Sequence, residues 1–156
     1  MEHALRQIRS VADYQFGKGV GNELFPENVE IEYSKRTGRI RYVYLEGKRL
    51  ATLRPTDGLF SLSITGAKRI VESANSIGCL VAVQDDVSRF IAEGGDVFAK
   101  HVVSADDSIR ARDEVIVVSE KGKVLAVGRA VLAVLEMKVF KTGVAVKVRR
   151  GCLEER

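Results

Sequence analysis

Residues 143–150 read Gly-Val-Ala-Val-Lys-Val-Arg-Arg, and their two-residue rhythm constrains the fold more than any other stretch. Successive side chains of a strand point to opposite faces, so Val144, Val146 and Val148 share one face while Lys147 and Arg149 share the other. A helix at 3.6 residues per turn would scatter the valines around its surface. The same rhythm recurs at Val29, Ile31 and Tyr33 against Glu30 and Glu32, and again over 40–45. Turn signals at Lys35-Arg36-Thr37-Gly38 and Glu46-Gly47-Lys48 separate these runs, and Leu50 to Leu53 makes a third. Short alternating runs joined by such turns predict an antiparallel meander. A sheet of this kind needs another layer over its apolar face. Residues 2–13 supply one, with Ala4, Leu5, Ile8, Val11 and Ala12 at helical spacing. A second helix is expected from Thr65, as N-cap, to about Asn75, with Ala67, Ile70, Val71 and Ala74 on one face. Glycines 17, 19 and 21 between these elements predict an irregular loop.

Ser76-Ile77-Gly78 is the expected boundary, giving domains over 1–76 and 77–156. The second domain opens with a continuous apolar run, 79–83, that suits a buried strand. Asp85 and Asp86 suit the first turn of a helix, with Val87, Phe90 and Ile91 as its apolar stripe and Gly94 as a left-handed cap. Residues 97–103 read as extended. Segments 115–118 and 124–127 form a hairpin across the turn at 120–123. Gly128 interrupts the second arm, which marks a bulge or a close backbone approach. The fold class is therefore α+β: a small N-terminal α+β domain, then a strand–helix–strand unit followed by several antiparallel strands that close into a small barrel with one main helix.

Several function classes drop out. No run of about 18 apolar residues exists, so no membrane partner is expected; the longest candidate, 124–135, is broken by Gly128 and Arg129. Glu2, Arg6 and Arg9 spoil any secretory apolar core at the N-terminus. With only Cys79 and Cys152, the expected location is a reducing cytoplasm. Those cysteines, His3 and His101 lack ligand spacing, so neither a metal nor a cofactor is expected. The glycine segment at 17–21 fails the G-x-G-x-x-G test, because its third glycine comes one residue early and no helix follows in the right place. Asp85 and Asp86 are explained by helix capping, and Asp106 and Asp107 fall in a polar turn without a neighbouring base or nucleophile. His101 reads as a strand histidine and Cys79 as a small core residue. No catalytic residue is expected.

Charge is unevenly spread. Residues 35–54 hold seven basic residues against Glu46, and 121–151 hold eight against Glu136, whereas 77–120 hold nine acids against four bases. Basic zones of this kind suit a polyanion bound by counterion release. Lys147, Arg149 and Arg150 on the last strand, Arg129 beside Gly128, Lys100, and the ring of Phe98 are the residues expected to contribute.

Four further stretches of the second domain carry a resemblance. Gly95-Asp-Val-Phe-Ala-Lys-His-Val-Val103, Asp113-Glu-Val-Ile-Val-Val118, Ala126-Val-Gly-Arg-Ala-Val131 and Gly143-Val-Ala-Val-Lys-Val-Arg149 resemble a PUA domain. Ala12-Asp-Tyr-Gln-Phe-Gly17, Leu24-Phe-Pro26, Thr37-Gly-Arg-Ile40 and the segment 50–60 are similar to the domain just upstream of it in archaeosine tRNA-guanine transglycosylase. The resemblance implies a PUA-like β-pseudobarrel that binds structured RNA, tRNA first. Carried over by position, it implies RNA contacts at Gly94, Gly95, Phe98, Lys100, Arg129, Lys147, Arg149 and Arg150. It leaves out the transglycosylase's catalytic barrel, so the resemblance implies an RNA-binding function in RNA modification or translation without catalysis. The alternative is an accessory subunit docking on a tRNA-modifying enzyme or a ribosomal component.

Overall fold

The computed structural model describes residues 2–154 and divides between Ile77 and Gly78 into two compact units. The first unit comprises α1 (Glu2–Phe16), α2 (Val20–Leu24), four antiparallel strands and α3 (Ile64–Ser73). The strands, β1 (Glu30–Tyr33), β2 (Ile40–Leu45), β3 (Lys48–Leu53) and β4 (Phe60–Leu62), lie in sequence order. Their core gathers Ile8, Phe16, Val43, Leu50 and Ile70 around Phe25 and Phe60, whose ring centroids are 5.2 Å apart. Each such side chain contributes roughly 1.5–3 kcal/mol by leaving water.

Two local expectations change here. The glycine segment is a three-residue break rather than a longer loop, because α1 ends at Phe16 and α2 already begins at Val20. Gly21 serves packing: a Cβ there would lie 2.2 Å from the Arg9 carbonyl oxygen, and its N–H donates to Asp13 Oδ1 at 2.6 Å. Ser63, not Thr65, caps α3. Strand β4 ends at Leu62, so Ser63 keeps extended geometry (φ −84°, ψ 168°), and its hydroxyl accepts from the Gly66 N–H at 3.0 Å.

The second unit holds β5 (Leu80–Val83), β6 (Val97–Phe98), β7 (Val102–Ala105), β8 (Glu114–Ser119), β9 (Val124–Ala130) and β10 (Val144–Gly151). Their order is β6-β10-β9-β8-β5-β7; β5 and β8 run parallel and every other pair antiparallel. The outer strands β6 and β7 are consecutive in the chain, joined by a 3-10 turn at Ala99–His101. The sheet is thus a nearly closed six-stranded pseudobarrel, filled by Val81, Val97, Val115, Val117, Leu125 and Val146. The 3-10 turn also splits the expected extended run 97–103. It lets the chain pass from one edge of the sheet to the other.

Helix α4 (Ser88–Ala92) follows a 3-10 turn at Asp85–Val87. The Gly95 N–H donates to the Phe90 carbonyl (2.9 Å) and the Gly94 N–H to that of Ile91 (2.9 Å), a Schellman closure with Gly94 at φ 107°. Phe90 leaves the expected apolar stripe and is 55% exposed, its ring lying over Gly95. A further short helix, α5 (Val134–Val139), went unread because its apolar residues continue the run of strand β9; it buries Val134 and Met137. Among the described residues, no helix is long and apolar enough to cross a membrane.

Gly128 is a close-approach glycine. A Cβ there would lie 2.2 Å from the Lys147 carbonyl oxygen, while the register shift in this strand pair falls on β10, at Val148/Arg150. Gly128→Ala is therefore expected to lower unfolding free energy by about 2–3 kcal/mol, since the obstacle is backbone; urea denaturation checks it. Asp106 ties β5 to its neighbouring turn by accepting the Leu80 N–H at 2.8 Å, and burial holds its carboxyl pKa above the ordinary range. Its folded form takes up a proton more readily than the unfolded chain, so its contribution falls as pH rises through the shifted value. Asp106→Asn keeps the carbonyl acceptor and should flatten this acid-range dependence of stability without loss at neutral pH.

Candidate nucleic-acid interface

Strands β6, β10 and β9 bring most of the expected site residues together. Lys147 pairs across the ladder with Arg129, and Arg129 with Glu114 on β8, so the three side chains share one face. Val144 pairs with Phe98 on the other flank of β10. Phe98 is 36% exposed, and its ring meets His101 edge-on at 6.2 Å. Lys147 and Arg129 are exposed; Arg150 is half-buried. Lys100 stands exposed on the 3-10 turn two residues beyond Phe98.

Acidic partners that the sequence reading missed position this face. Arg149 donates Nη1 to Glu114 Oε1 at 3.0 Å and Nη2 to Oε2, a two-pronged pair on a buried carboxylate. The signal for Glu114 lies in its own strand: alternation places it on the face of Ile116 and Val118, which are buried too. Asp96 accepts the Val148 N–H at 2.9 Å and lies 3.4 Å from Lys147 Nζ. The acid thus holds β10 through its backbone and the lysine through its charge.

Gly94 and Gly95 lead into this face, because Asp96 follows them directly. Both are packed from behind. A Cβ on Gly95 would lie 2.3 Å from the Phe90 ring, and one on Gly94 would lie 2.9 Å from the Glu154 carboxyl carbon. The chain after β10 folds back here, with Leu153 N–H donating to the Ala92 carbonyl at 2.9 Å. Burial pushes the Cys79 thiol pKa up, with Asp106 adding to the effect, which removes it as a nucleophile at neutral pH.

Comparison with known proteins gives the same two-part division. Residues 6–76 match the patch-forming domain C2 of tRNA-guanine transglycosylase, and residues 80–152 match the PUA domain. A tRNA-guanine(15) transglycosylase of Methanobrevibacter smithii is 45% identical over 94% of this chain but only 22% of its own length. That of Pyrococcus abyssi is 46% identical over 96% of this chain and 25% of its own. The chain therefore spans about a quarter of these curated relatives. Among solved structures, a conserved PUA domain protein from Thermoplasma acidophilum superposes with a TM-score of 0.70 at 25% identity, covering 99% of this chain and 91% of that one. A hypothetical protein from Pyrococcus horikoshii reaches 0.77 at 24% identity, covering 99% and 93%.

Breaking the Glu114 pair takes a two-pronged guanidinium away from a buried carboxylate. Arg149→Ala should cost about 3 kcal/mol, the low end for such a pair because the guanidinium is partly open to water, and Arg149→Lys should restore only part of it. Chemical denaturation of both variants checks this.

Proposed function

Because the chain carries a patch-forming domain C2 followed by a PUA domain, we propose that it is a non-catalytic RNA-binding protein whose ligand is tRNA or a similar structured RNA, in RNA modification or translation. The observation that carries this reading is the placement of Lys147, Arg129 and Phe98 on adjacent strands, with Lys100 on the next turn. Cations on a fixed sheet meet phosphates and set register without reading sequence. An exposed ring beside them supplies a stacking surface for an unpaired base. Gly94 and Gly95 shape the loop beside this face, packed against Glu154 and Phe90. Arg149 enters differently from its neighbours: held by Glu114, it keeps β10 in place, while Arg150 completes the strand's basic end. The non-catalytic reading is supported by the short match, since the chain covers only about a quarter of the transglycosylase relatives' length. A reducing cytoplasm suits both an RNA ligand and the two unpaired thiols.

A second reading has its own observation. Helix α5 exposes Leu135 (73%) and Val139 (69%), followed by Phe140, and exposed apolar clusters mark interaction sites. This favours docking on a tRNA-modifying enzyme or a ribosomal component. Salt separates the two, because phosphate contacts weaken with ionic strength and apolar docking does not.

Binding of total tRNA to the full chain is expected to fall steeply with salt. Lys100→Ala with Lys147→Ala should flatten the slope of log affinity against log salt by about 1.4–1.8, as two lost phosphate contacts require, and should leave the urea midpoint in place. Salt-insensitive binding, or none at low salt, would sink the RNA reading and favour docking.

A further inference from the structure

The second unit contains a cavity of about 320 Å³ that none of the proposed RNA contacts lines. It has three walls. Helix α4 forms one, through Ser88 and Ala92, four residues apart on one face. The β8–β9 hairpin forms the second, through Lys121, Lys123 and Leu125. The chain after β10 forms the third, through Cys152. Hydrogen bonds fix all three. The Cys152 N–H donates to the Leu125 carbonyl at 2.8 Å and the Leu153 N–H to that of Ala92 at 2.9 Å, which ties the tail to hairpin and helix. The Lys123 N–H donates to Ser119 Oγ at 3.1 Å and the Gly122 N–H to the Ser119 carbonyl at 2.9 Å, so the turn carrying both lysines is braced. The Asp85 N–H donates to Glu120 Oε2 at 3.1 Å and joins the start of the helical segment to the hairpin.

The chemistry of the walls is divided. Leu125 and Ala92 are buried, and Cys152 is half-buried against the barrel core, so the floor is apolar. The rim is cationic. Lys121 and Lys123 are exposed and have no ion pair among the described residues, whereas Arg89 is matched with Glu93 at 3.5 Å. Asp85 is the one carboxylate lining the same space among the described residues. Ser88 points to a ligand. Its hydroxyl oxygen is shielded from water and has no hydrogen-bond partner among the described residues. Buried polar groups are nearly always paired. A hydroxyl left alone is unfavourable until a group in the cavity donates to it or accepts from it.

We propose that this cavity binds a small organic anion with an apolar body. The body lies on Leu125, Ala92 and the Cys152 thiol. The anionic group meets the ammonium groups of Lys121 and Lys123, and a polar atom of the ligand bonds to the Ser88 hydroxyl. Ammonium groups act as point charges without the fork of a guanidinium, so a carboxylate or a sulfonate suits them in any orientation. A cavity of this volume holds a single small molecule. A nucleic-acid backbone fits poorly, because its phosphates seek open cations and this floor is apolar. The proposal stands apart from the RNA reading, since the two use different residues.

The test uses the full chain and a pair of probes. Anilinonaphthalenesulfonate is an aromatic body with one anionic group, and phenylnaphthylamine is the same body without it. Fluorescence titration reads affinity. The rate at which iodoacetamide alkylates Cys152, the less buried of the two thiols, reads location. The sulfonate is expected to bind at one saturable site and to slow that alkylation. Lys121→Ala with Lys123→Ala should weaken the sulfonate by about threefold or more, as loss of two exposed ion pairs requires, and leave the neutral probe unchanged. Ser88→Ala should weaken it by about threefold, as for one hydrogen bond, with a thermal midpoint unchanged or raised. A lowered midpoint with unchanged sulfonate affinity marks a structural hydroxyl and overturns its part in the site. No saturable binding overturns the cavity. So does binding that leaves the Cys152 rate unchanged, which puts the dye elsewhere, on the exposed face of α5 first. Equal affinity for the two probes, or for the wild type and the lysine variant, overturns the anionic assignment. A lysine variant that loses tRNA but not the sulfonate makes those lysines part of an RNA surface and overturns the proposal while the RNA reading stands. A wild type that binds the sulfonate in this way but no tRNA does the reverse.

Discussion

Strand β10 pairs with β6 on one side and β9 on the other, and the second unit depends on that double pairing. Its partners come from distant parts of the chain: Val144 and Val146 meet Phe98 and Val97, and Gly151 meets Ala126. Both ladders shift register, between Val144 and Val146 on one flank and between Val148 and Arg150 on the other. At these irregularities β10 bends and twists more strongly as it serves two neighbours, because a bulge bends a strand and increases its local twist. Three unrelated groups hold it there. Gly128 gives the Lys147 carbonyl room, Asp96 takes the Val148 N–H, and Glu114 fixes Arg149.

The proposed interface is therefore built with acids as well as bases. Asp96 and Glu114 spend part of the local positive charge to hold Lys147 and Arg149 in known places. A cation with a fixed position reports the spacing of phosphates, whereas a mobile one reports only their presence.

Much of this was legible in the sequence for a physical reason. Alternation over 29–33, 40–45 and 144–149 marks strands, and those strands appear within a residue or two, but register shifts change which residues are buried: Ile40 and Val43 in β2, and the consecutive Ala145 and Val146 in β10. What stayed hidden depends on neighbours far along the chain. Ser63 caps α3 because β4 stops at Leu62. Gly21 is packing rather than loop because α1 lies over it. Phe90 looks like core by spacing, yet it lies over a glycine that leaves room for its ring. In the candidate site, the basic residues of β10 stood out by pattern, but the assignment of Arg149 to Glu114 required knowing that β8, β9 and β10 are adjacent.

The position of β10 in the sheet also sets an order of assembly. During synthesis every other barrel strand leaves the ribosome before it, so β6 and β9 wait with open hydrogen-bonding edges and an unfilled interior. Unpaired edges of this kind invite the wrong partner, including another nascent copy.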